Sequence, residues 1–135
     1  AMITIGTAIQ TTGVSNLIAT SISQYASDLS LFWILLIILI ITMATTDIIN
    51  NAATAVIMAP ISVGIASELG YAIEPFLMVV AVGASCAFLT PIGHQCNTVV
   101  MGPGNYKFTD YWRMGLPMDI IIILASIPMI LFVWT

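Results

Sequence analysis

The chain has 135 residues, of which 60% are hydrophobic and only 6% are charged, and its mean hydropathy is +1.11. Because a soluble domain carries about 25% charged residues, this chain could not cover a water-facing surface, and we predict an all-α integral membrane protein. With two basic residues against six acidic ones, it lacks the basic face that binding to nucleic acid requires.

The length allows about four or five passes, at roughly 20 residues for each membrane helix, so we expect a multi-pass protein of the cell membrane. Segment 1–10 is already apolar and is predicted to be the end of a helix that begins upstream, which would make the chain a piece of a longer protein. Segment 14–25 is amphipathic, and its apolar face would either lie at the membrane interface or pack on neighbouring helices.

Two apolar runs, 29–44 and 52–66, flank a polar tip at 45–51 (TTDIINN). Each run has about 15 residues and would span some 23 Å as a helix, less than the roughly 30 Å of the hydrocarbon core. Either both runs cross the membrane and the tip is an aqueous loop, or they enter and return as a re-entrant hairpin. Because both runs are short and the tip has no Lys or Arg, we favour a re-entrant hairpin over 29–66.

A broken transmembrane helix is predicted over 76–103. Its apolar first part is interrupted at 90–93 (TPIG), since Pro lacks an amide donor and Gly is flexible, and a short helix resumes over 95–101. The last transmembrane helix is predicted over 112–134. The two basic residues of the chain, Lys107 and Arg113, flank the loop between the broken helix and the last transmembrane helix. The positive-inside rule places that loop in the cytoplasm.

The two interruptions carry the chemistry, because non-helical backbone at membrane depth survives only inside protein or beside a hydrated cavity. At the hairpin tip, one helix end presents carbonyl groups, which attract cations, and the other presents amides, which attract anions. Asn50 and Asn51 add side-chain amides, and Thr46 and Asn51 offer hard oxygen ligands suited to Na⁺. Because both interruptions lack Lys and Arg, an anion held there needs a co-bound cation, which predicts a cation-coupled anion carrier.

Other roles stay open for several of these residues. Asn50 and Asn51 could simply cap the second helix of the hairpin. Asp47 is a cation ligand, a proton carrier or a cap in a hydrated turn, and His94 either contacts substrate or is a hydrogen-bonded structural residue. Cys86 and Cys96 show no metal-binding spacing and are expected to be unpaired apolar residues.

Two stretches of the sequence resemble the divalent anion/Na⁺ symporter family, the sodium-coupled sulfate and dicarboxylate carriers. They are 46–61 (TDIINNAATAVIMAPI) and 90–116 (TPIGHQCNTVVMGPGNYKFTDYWRMGL), and the resemblance covers nearly the whole chain. It implies that the chain is the second inverted repeat of an ion-transporter-superfamily fold, the C-terminal part of the membrane transport domain. The first repeat, with the other half of the site, would lie upstream in the same transporter.

The resemblance also implies site residues. Members of the family have Ser-Asn-Thr at each hairpin tip, where this chain has Asn50–Asn51–Ala52; a hydroxyl is thus replaced by an amide, and a threonine by an alanine that offers only its backbone N–H. The implied Na⁺ ligands are Thr46, Ile49, Asn51 and Leu89. The implied substrate-binding residues are Asn50, Asn51, Ala52, Thr90 and Pro91.

The expected function is Na⁺-coupled import of a divalent oxyanion, sulfate or a C4-dicarboxylate, by an elevator-like movement in a homodimer. Na⁺ is the expected coupling ion, and the lipid bilayer and the anion are the expected partners. The alternatives are a Na⁺-independent anion extruder of the same superfamily, such as an arsenite carrier, and a membrane subunit that only scaffolds a complex. An enzyme is not expected, because no nucleophile motif or set of metal ligands accompanies Asp47 and His94.

Overall fold

The computed structural model describes residues 4, 7, 8, 11–26 and 28–134, and every regular element in these residues is an α-helix. The predicted all-α fold is therefore confirmed. Most of segment 1–10 lies outside the described residues, so the helix expected there stays a prediction. The six described helices are α1 (Val14–Ala26), α2 (Leu31–Thr46), α3 (Asn51–Leu69), α4 (Ile73–Ser85), α5 (Gln95–Met101) and α6 (Phe108–Trp134).

Helix α1 begins directly after Gly13, whose φ of +71° is a conformation that glycine adopts without strain. It packs against α3, and its Ala19 belongs to the core with 1% of its surface exposed. Of the apolar face predicted from the sequence, Leu17 and Tyr25 are exposed. Helix α1 therefore packs on a neighbouring helix through only part of that face.

Helices α2 and α3 are joined by the four-residue connection 47–50. Helix α2 has 16 residues, close to the predicted length, but α3 has 19 and spans about 28 Å at 1.5 Å per residue. The premise that both runs are short is thus wrong for α3, because its helix continues beyond residue 66 to Leu69, where Gly70 ends it with a φ of +73°. Among the described helices, α3 and α6 are long and apolar enough to cross a membrane.

Helix α4 lies at the centre of the structure, since it packs on both α2 and α3. The core between them contains side chains with less than 2% of their surface exposed, among them Leu35, Leu39, Ile65, Phe76 and Val79. Gly83 of α4 brings the backbone close to α2, because an added Cβ would lie 2.9 Å from Cβ of Thr42. This close packing fixes the position of the end of α4 relative to α2.

The chain leaves the helical path at Ser85, earlier than expected, and the irregular segment 86–94 precedes α5. We call segment 86–94 the break. Helix α5 has the predicted bounds, whereas α6 begins at Phe108 rather than residue 112. Helix α6 packs on α4 and α2, while apolar residues elsewhere on it, such as Leu124 and Phe132, are exposed, as expected for a surface that meets lipid or other protein.

Candidate functional site

Four helix ends meet where the connection 47–50 contacts the break. Helices α2 and α4 end there, whereas α3 and α5 begin there. The carbonyl end of a helix carries a partial negative charge and the amide end a partial positive charge. The same small region can therefore interact with both a cation and an anion, as in transporters built from discontinuous helices.

The buried side chain of Thr46 links three of these ends. Its Oγ1 lies 2.8 Å from Oδ1 of Asn51, the first residue of α3, and 3.0 Å from the carbonyl oxygen of Ala84 in the last turn of α4. One hydroxyl proton can serve only one of these two acceptors at a time. The three oxygens therefore form a neutral cluster with spare lone pairs, which is the ligand chemistry that a hard cation such as Na⁺ prefers. We call it the oxygen cluster.

The sequence did not single out Ala84, since only its backbone carbonyl takes part. It predicted instead the carbonyls of Ile49 and Leu89 beside Thr46 and Asn51. Ile49 lies at the partly exposed tip, with its amide bonded to the Thr45 carbonyl. Leu89 lies in the break, where its amide donates to Oδ1 of Asp47 at 3.1 Å, so it contacts the residue that follows Thr46.

An open cleft of about 280 Å³ lies beside the amide ends of α3 and α5. Asn50 caps α3, because its Oδ1 accepts a hydrogen bond from the amide of Ala53 at 2.9 Å. Its side-chain amide nitrogen has no hydrogen-bond partner among the described residues and can donate to a ligand. The lining residues are Asn50, Asn51, Ala52, Ile92, Gly93, His94 and Gln95.

The other two predicted substrate residues do not line this cleft. The Thr90 hydroxyl donates to the backbone carbonyl of Asp47 and accepts from the amide of Gly93 at 3.2 Å. Pro91 is buried, and its carbonyl accepts from the hydroxyl of Thr98. Thr90 therefore holds the break against the hairpin tip, and Pro91 connects the break to α5.

Gly93 is the point of closest approach between the break and the hairpin tip. A Cβ added there would lie 2.7 Å from the Thr46 carbonyl oxygen, 2.9 Å from Cβ of Ala87 and 3.0 Å from Cα of Asp47. No real side chain fits these distances without moving the backbone. Glycine at this position is what allows the carbonyl ends and the amide ends to lie side by side.

Two further polar residues, not predicted from the sequence, hold the break in place. Asn97 of α5 donates through Nδ2 to the carbonyls of Ala87 and Thr90, at 2.8 and 3.2 Å. Tyr111 of α6 donates its hydroxyl to the carbonyl of Asn97 at 2.7 Å. A polar amide at the third residue of a short helix was the available signal for Asn97, since unpaired carbonyls at membrane depth require donors.

The residues with open roles have definite places. His94 is exposed and caps α5, accepting from the amide of Cys96 through Nδ1 at 3.2 Å. Asp47 is buried, and its carboxylate binds the break rather than an amide of its own hairpin. Both cysteines are free; Cys86 is buried, as an apolar residue would be, whereas Cys96 is exposed.

Comparison with known proteins assigns a family to this arrangement. The chain is 37% identical over 133 residues to an uncharacterised transporter of Synechocystis, covering 98% of this chain and 22% of the relative. It is 31% identical over 107 residues to the sodium-dependent high-affinity dicarboxylate transporter 3 of Caenorhabditis elegans, covering 79% of this chain and 19% of the relative. It is 28% identical over 123 residues to the sodium/sulfate cotransporter 2 of Chlamydomonas reinhardtii, covering 90% of this chain and 14% of the relative.

The chain thus spans about a fifth of the length of the curated relatives that it matches. Two of these relatives are named as sodium-coupled carriers of anions, and transport rather than catalysis is the activity of the family. The model of the sodium:sulfate symporter transmembrane region matches residues 1–135. The chain belongs to the sodium:sulfate symporter family of membrane transporters.

Proposed function

We propose that this chain is part of a Na⁺-coupled symporter that imports a divalent oxyanion, either sulfate or a C4-dicarboxylate, across the cell membrane. The observation that carries the proposal is the oxygen cluster, in which Thr46 Oγ1 lies within hydrogen-bond distance of two acceptor oxygens. In this proposal Na⁺ is a transported substrate that these oxygens bind. The carbonyls of Ile49 and Leu89 are its further ligands in this proposal.

The anion binds in the cleft beside the start of α3. The backbone amide of Ala52 and the side chains of Asn50 and Asn51 are its donors, since anions bind favourably at helix N-termini. The two basic residues of the chain, Lys107 and Arg113, are exposed and do not line the cleft. Neutralisation of the anion therefore depends on the Na⁺ bound to Asn51, which is the physical basis of coupling: each ion lowers the free energy of binding of the other.

The site in this chain is half of the complete one. We infer that α2 and α3 form a re-entrant hairpin, that 76–103 is a broken transmembrane helix and that 112–134 is part of the last span. In this arrangement the chain is the second inverted repeat, and an upstream repeat supplies the other half of the cleft. Transport then proceeds by an elevator-like movement of this domain within a homodimer.

The test uses the complete transporter in proteoliposomes. Uptake of labelled sulfate and of labelled succinate is measured with an inward Na⁺ gradient and with choline in place of Na⁺. We expect Na⁺-dependent uptake of at least one anion. This uptake should be lost in Asn51→Ala, because Asn51 contributes to both the proposed cation site and the proposed anion site. The matched control is Asn16→Ala on α1, an exposed asparagine away from the oxygen cluster, which we expect to leave uptake unchanged.

Two outcomes would contradict the proposal. Transport of arsenite without any dependence on Na⁺ would favour the extruder, and uptake that is unaffected by Asn51→Ala would favour a subunit without a transport site. Sulfate and succinate both carry two negative charges at neutral pH, so charge alone does not distinguish them. The ratio of sulfate uptake to succinate uptake identifies the preferred substrate.

A further inference from the structure

Two buried carboxylates lie outside the oxygen cluster and the cleft. Asp47, at the end of α2, is 4% exposed, and Asp119, in the interior of α6, is 7% exposed. Oδ2 of Asp47 and Oδ1 of Asp119 are buried and have no hydrogen-bond partner among the described residues. An ionised carboxylate buried without a partner costs several kcal/mol, so each of these oxygens calls for an explanation.

The fold brings the two side chains to the same place. On α6, Gly115 lies one turn before Asp119, and a Cβ added to Gly115 would be 2.4 Å from the carbonyl oxygen of Phe88 and 3.0 Å from the amide nitrogen of Leu89. Residues four apart share a helix face, so Asp119 is on the face of α6 that meets the break. The same Leu89 amide donates to Oδ1 of Asp47, so both carboxylates are placed beside the same part of the break.

No basic side chain of this chain neutralises the pair. The two basic residues of the chain are Lys107 and Arg113, and its one histidine is His94. All three are exposed. The backbone amide of Leu89 donates to Oδ1 of Asp47, whereas Oδ2 of Asp47 and Oδ1 of Asp119 have no hydrogen-bond partner among the described residues. Two like charges in a poorly solvated place repel each other strongly, and a bound cation removes both the repulsion and the cost of the unpaired oxygens.

We propose that Oδ2 of Asp47 and Oδ1 of Asp119 bind a second Na⁺ between the hairpin tip and α6. The inference rests on the proposed function, in which the transporter is coupled to Na⁺. Carboxylate oxygens suit a hard cation such as Na⁺. A zinc site usually has three or four protein ligands that include Cys or His, and no group of three His, Cys, Asp or Glu side chains that could hold a metal ion occurs in the described residues. A Na⁺ bound there would link Asp119 of α6 to Asp47. Because Asp47 directly follows Thr46, the second site would be connected to the oxygen cluster.

The experiment measures thermal unfolding and Na⁺ activation of the purified complete transporter. The melting temperature is recorded as NaCl replaces choline chloride at constant ionic strength, and succinate and sulfate uptake is recorded against Na⁺ concentration. For Asp119→Asn we expect a melting temperature at or above wild type in choline, since a buried charge is gone, and a smaller increase on adding Na⁺. The Na⁺ concentration for half-maximal uptake should rise about tenfold or more, as for weakened metal sites.

Asp47→Asn, on the other side of the site, should shift the Na⁺ dependence in the same direction. Its amide oxygen can keep the hydrogen bond from Leu89, so the fold is retained. The double variant should be no worse than the more severe single variant, because both remove the same bound ion. Asp110→Asn on α6 is the matched control, since its carboxylate accepts from the amide of Lys107 at the start of the helix and its Na⁺ response should equal that of wild type.

The possible outcomes separate this inference from the proposed function. If wild-type uptake depends on Na⁺ and both Asp47→Asn and Asp119→Asn keep the wild-type Na⁺ response, the second site is refuted while the symporter stands. If wild-type uptake shows no Na⁺ dependence, the proposed function fails first. A response to K⁺ equal to that to Na⁺ in the wild type, lost in both variants, would refute the assignment of the ion as Na⁺.

Discussion

Thr46 Oγ1 and Asn51 Oδ1 lie 2.8 Å apart across the connection between α2 and α3. The two residues are the last of one helix and the first of the next, so this contact joins a carbonyl end to an amide end. Because Thr46 also reaches the Ala84 carbonyl, a cation bound here would contact α2, α3 and α4 together. The position of the hairpin tip would then depend on whether the cation is present, so the proposed Na⁺ coupling would be a local geometric effect.

Replacing Thr46 with valine tests the hydroxyl ligand. Thr46→Val keeps the branched shape but removes an oxygen from the cluster, so we expect the Na⁺ concentration for half-maximal uptake to rise about tenfold or more. It also leaves Oδ1 of Asn51 without this donor, with an expected loss of about 1–3 kcal/mol in the free energy of unfolding. Uptake by the complete transporter across a Na⁺ titration gives the first value, and denaturant unfolding in detergent gives the second.

The adjacent Thr45 supplies the control. Its hydroxyl donates to the Ile41 carbonyl at 2.7 Å within its own helix, so Thr45→Val should leave the Na⁺ dependence unchanged. Thr46→Ser should retain most of the wild-type Na⁺ affinity because the oxygen remains. Equal Na⁺ titrations for Thr46→Val and Thr45→Val would remove Thr46 from the cation site.

A methyl group at Gly93 should separate the break from the hairpin tip. In Gly93→Ala the new Cβ would meet the Thr46 carbonyl at 2.7 Å, so the backbone must shift by several tenths of an ångström. We expect a loss of about 1–3 kcal/mol in stability, as for other overpacked sites, together with a fall in both Na⁺ affinity and anion uptake. Melting temperature and uptake by the complete transporter measure these two effects.

Gly102 is the matched control for this substitution. It has a φ of −67°, and an added Cβ would have no atom within 4 Å among its neighbours. Gly102→Ala should therefore fold and transport like wild type. If Gly93→Ala transported equally well, close contact between the break and the tip would not be required for function.

Asn50 allows capping and substrate binding to be separated. Aspartate caps helices as well as asparagine does and interacts favourably with the helix dipole, so Asn50→Asp should fold with unchanged or slightly higher stability. A negative charge beside the cleft should nevertheless repel a divalent anion and reduce uptake by about tenfold or more, since each 1.4 kcal/mol of repulsion is a factor of ten in binding. The measurements are the melting temperature and the uptake of both anions.

Asn50→Ser is the neutral comparison. Serine also caps helices, and it restores the hydroxyl that the resemblance implies for this position, so uptake should persist while the ratio of sulfate to succinate changes. Full uptake by Asn50→Asp would mean that the anion does not lie near Asn50, and that its role is capping alone.

Loss of the Tyr111 hydroxyl should loosen the contact between α6 and α5. Tyr111→Phe removes the hydrogen bond to the Asn97 carbonyl and should lower the free energy of unfolding by about 1 kcal/mol. Tyr106→Phe is the control, because the ring is 52% exposed and its hydroxyl has no hydrogen-bond partner among the described residues. Denaturant unfolding of the two variants side by side measures the difference, and equal stabilities would contradict a structural role for the bond.

Several features could be predicted because they depend on local sequence. Polar residues between apolar runs located the hairpin tip, and Thr90–Pro91 located the break, since proline and unpaired backbone are incompatible with a continuous membrane helix. Helix α6 begins four residues before the predicted transmembrane span, and Asp110, which accepts from the Lys107 amide in the manner of a helix cap, is the local signal for that start. The full length of α3 was missed because the polar residues Ser67 and Glu68 end the apolar run at residue 66, yet both continue the helix.

The sequence by itself determined the class of protein, the two interruptions and the kinds of polar groups within them, because hydropathy, proline and side-chain chemistry act locally. Only the tertiary structure decided which helix ends meet. The contact of Thr46 with Ala84 spans 38 residues and that of Asp47 with Leu89 spans 42, and each involves a backbone group that every residue possesses. No side-chain pattern marks such a group, so its role exists only once packing against α4 and α6 has brought it to the site.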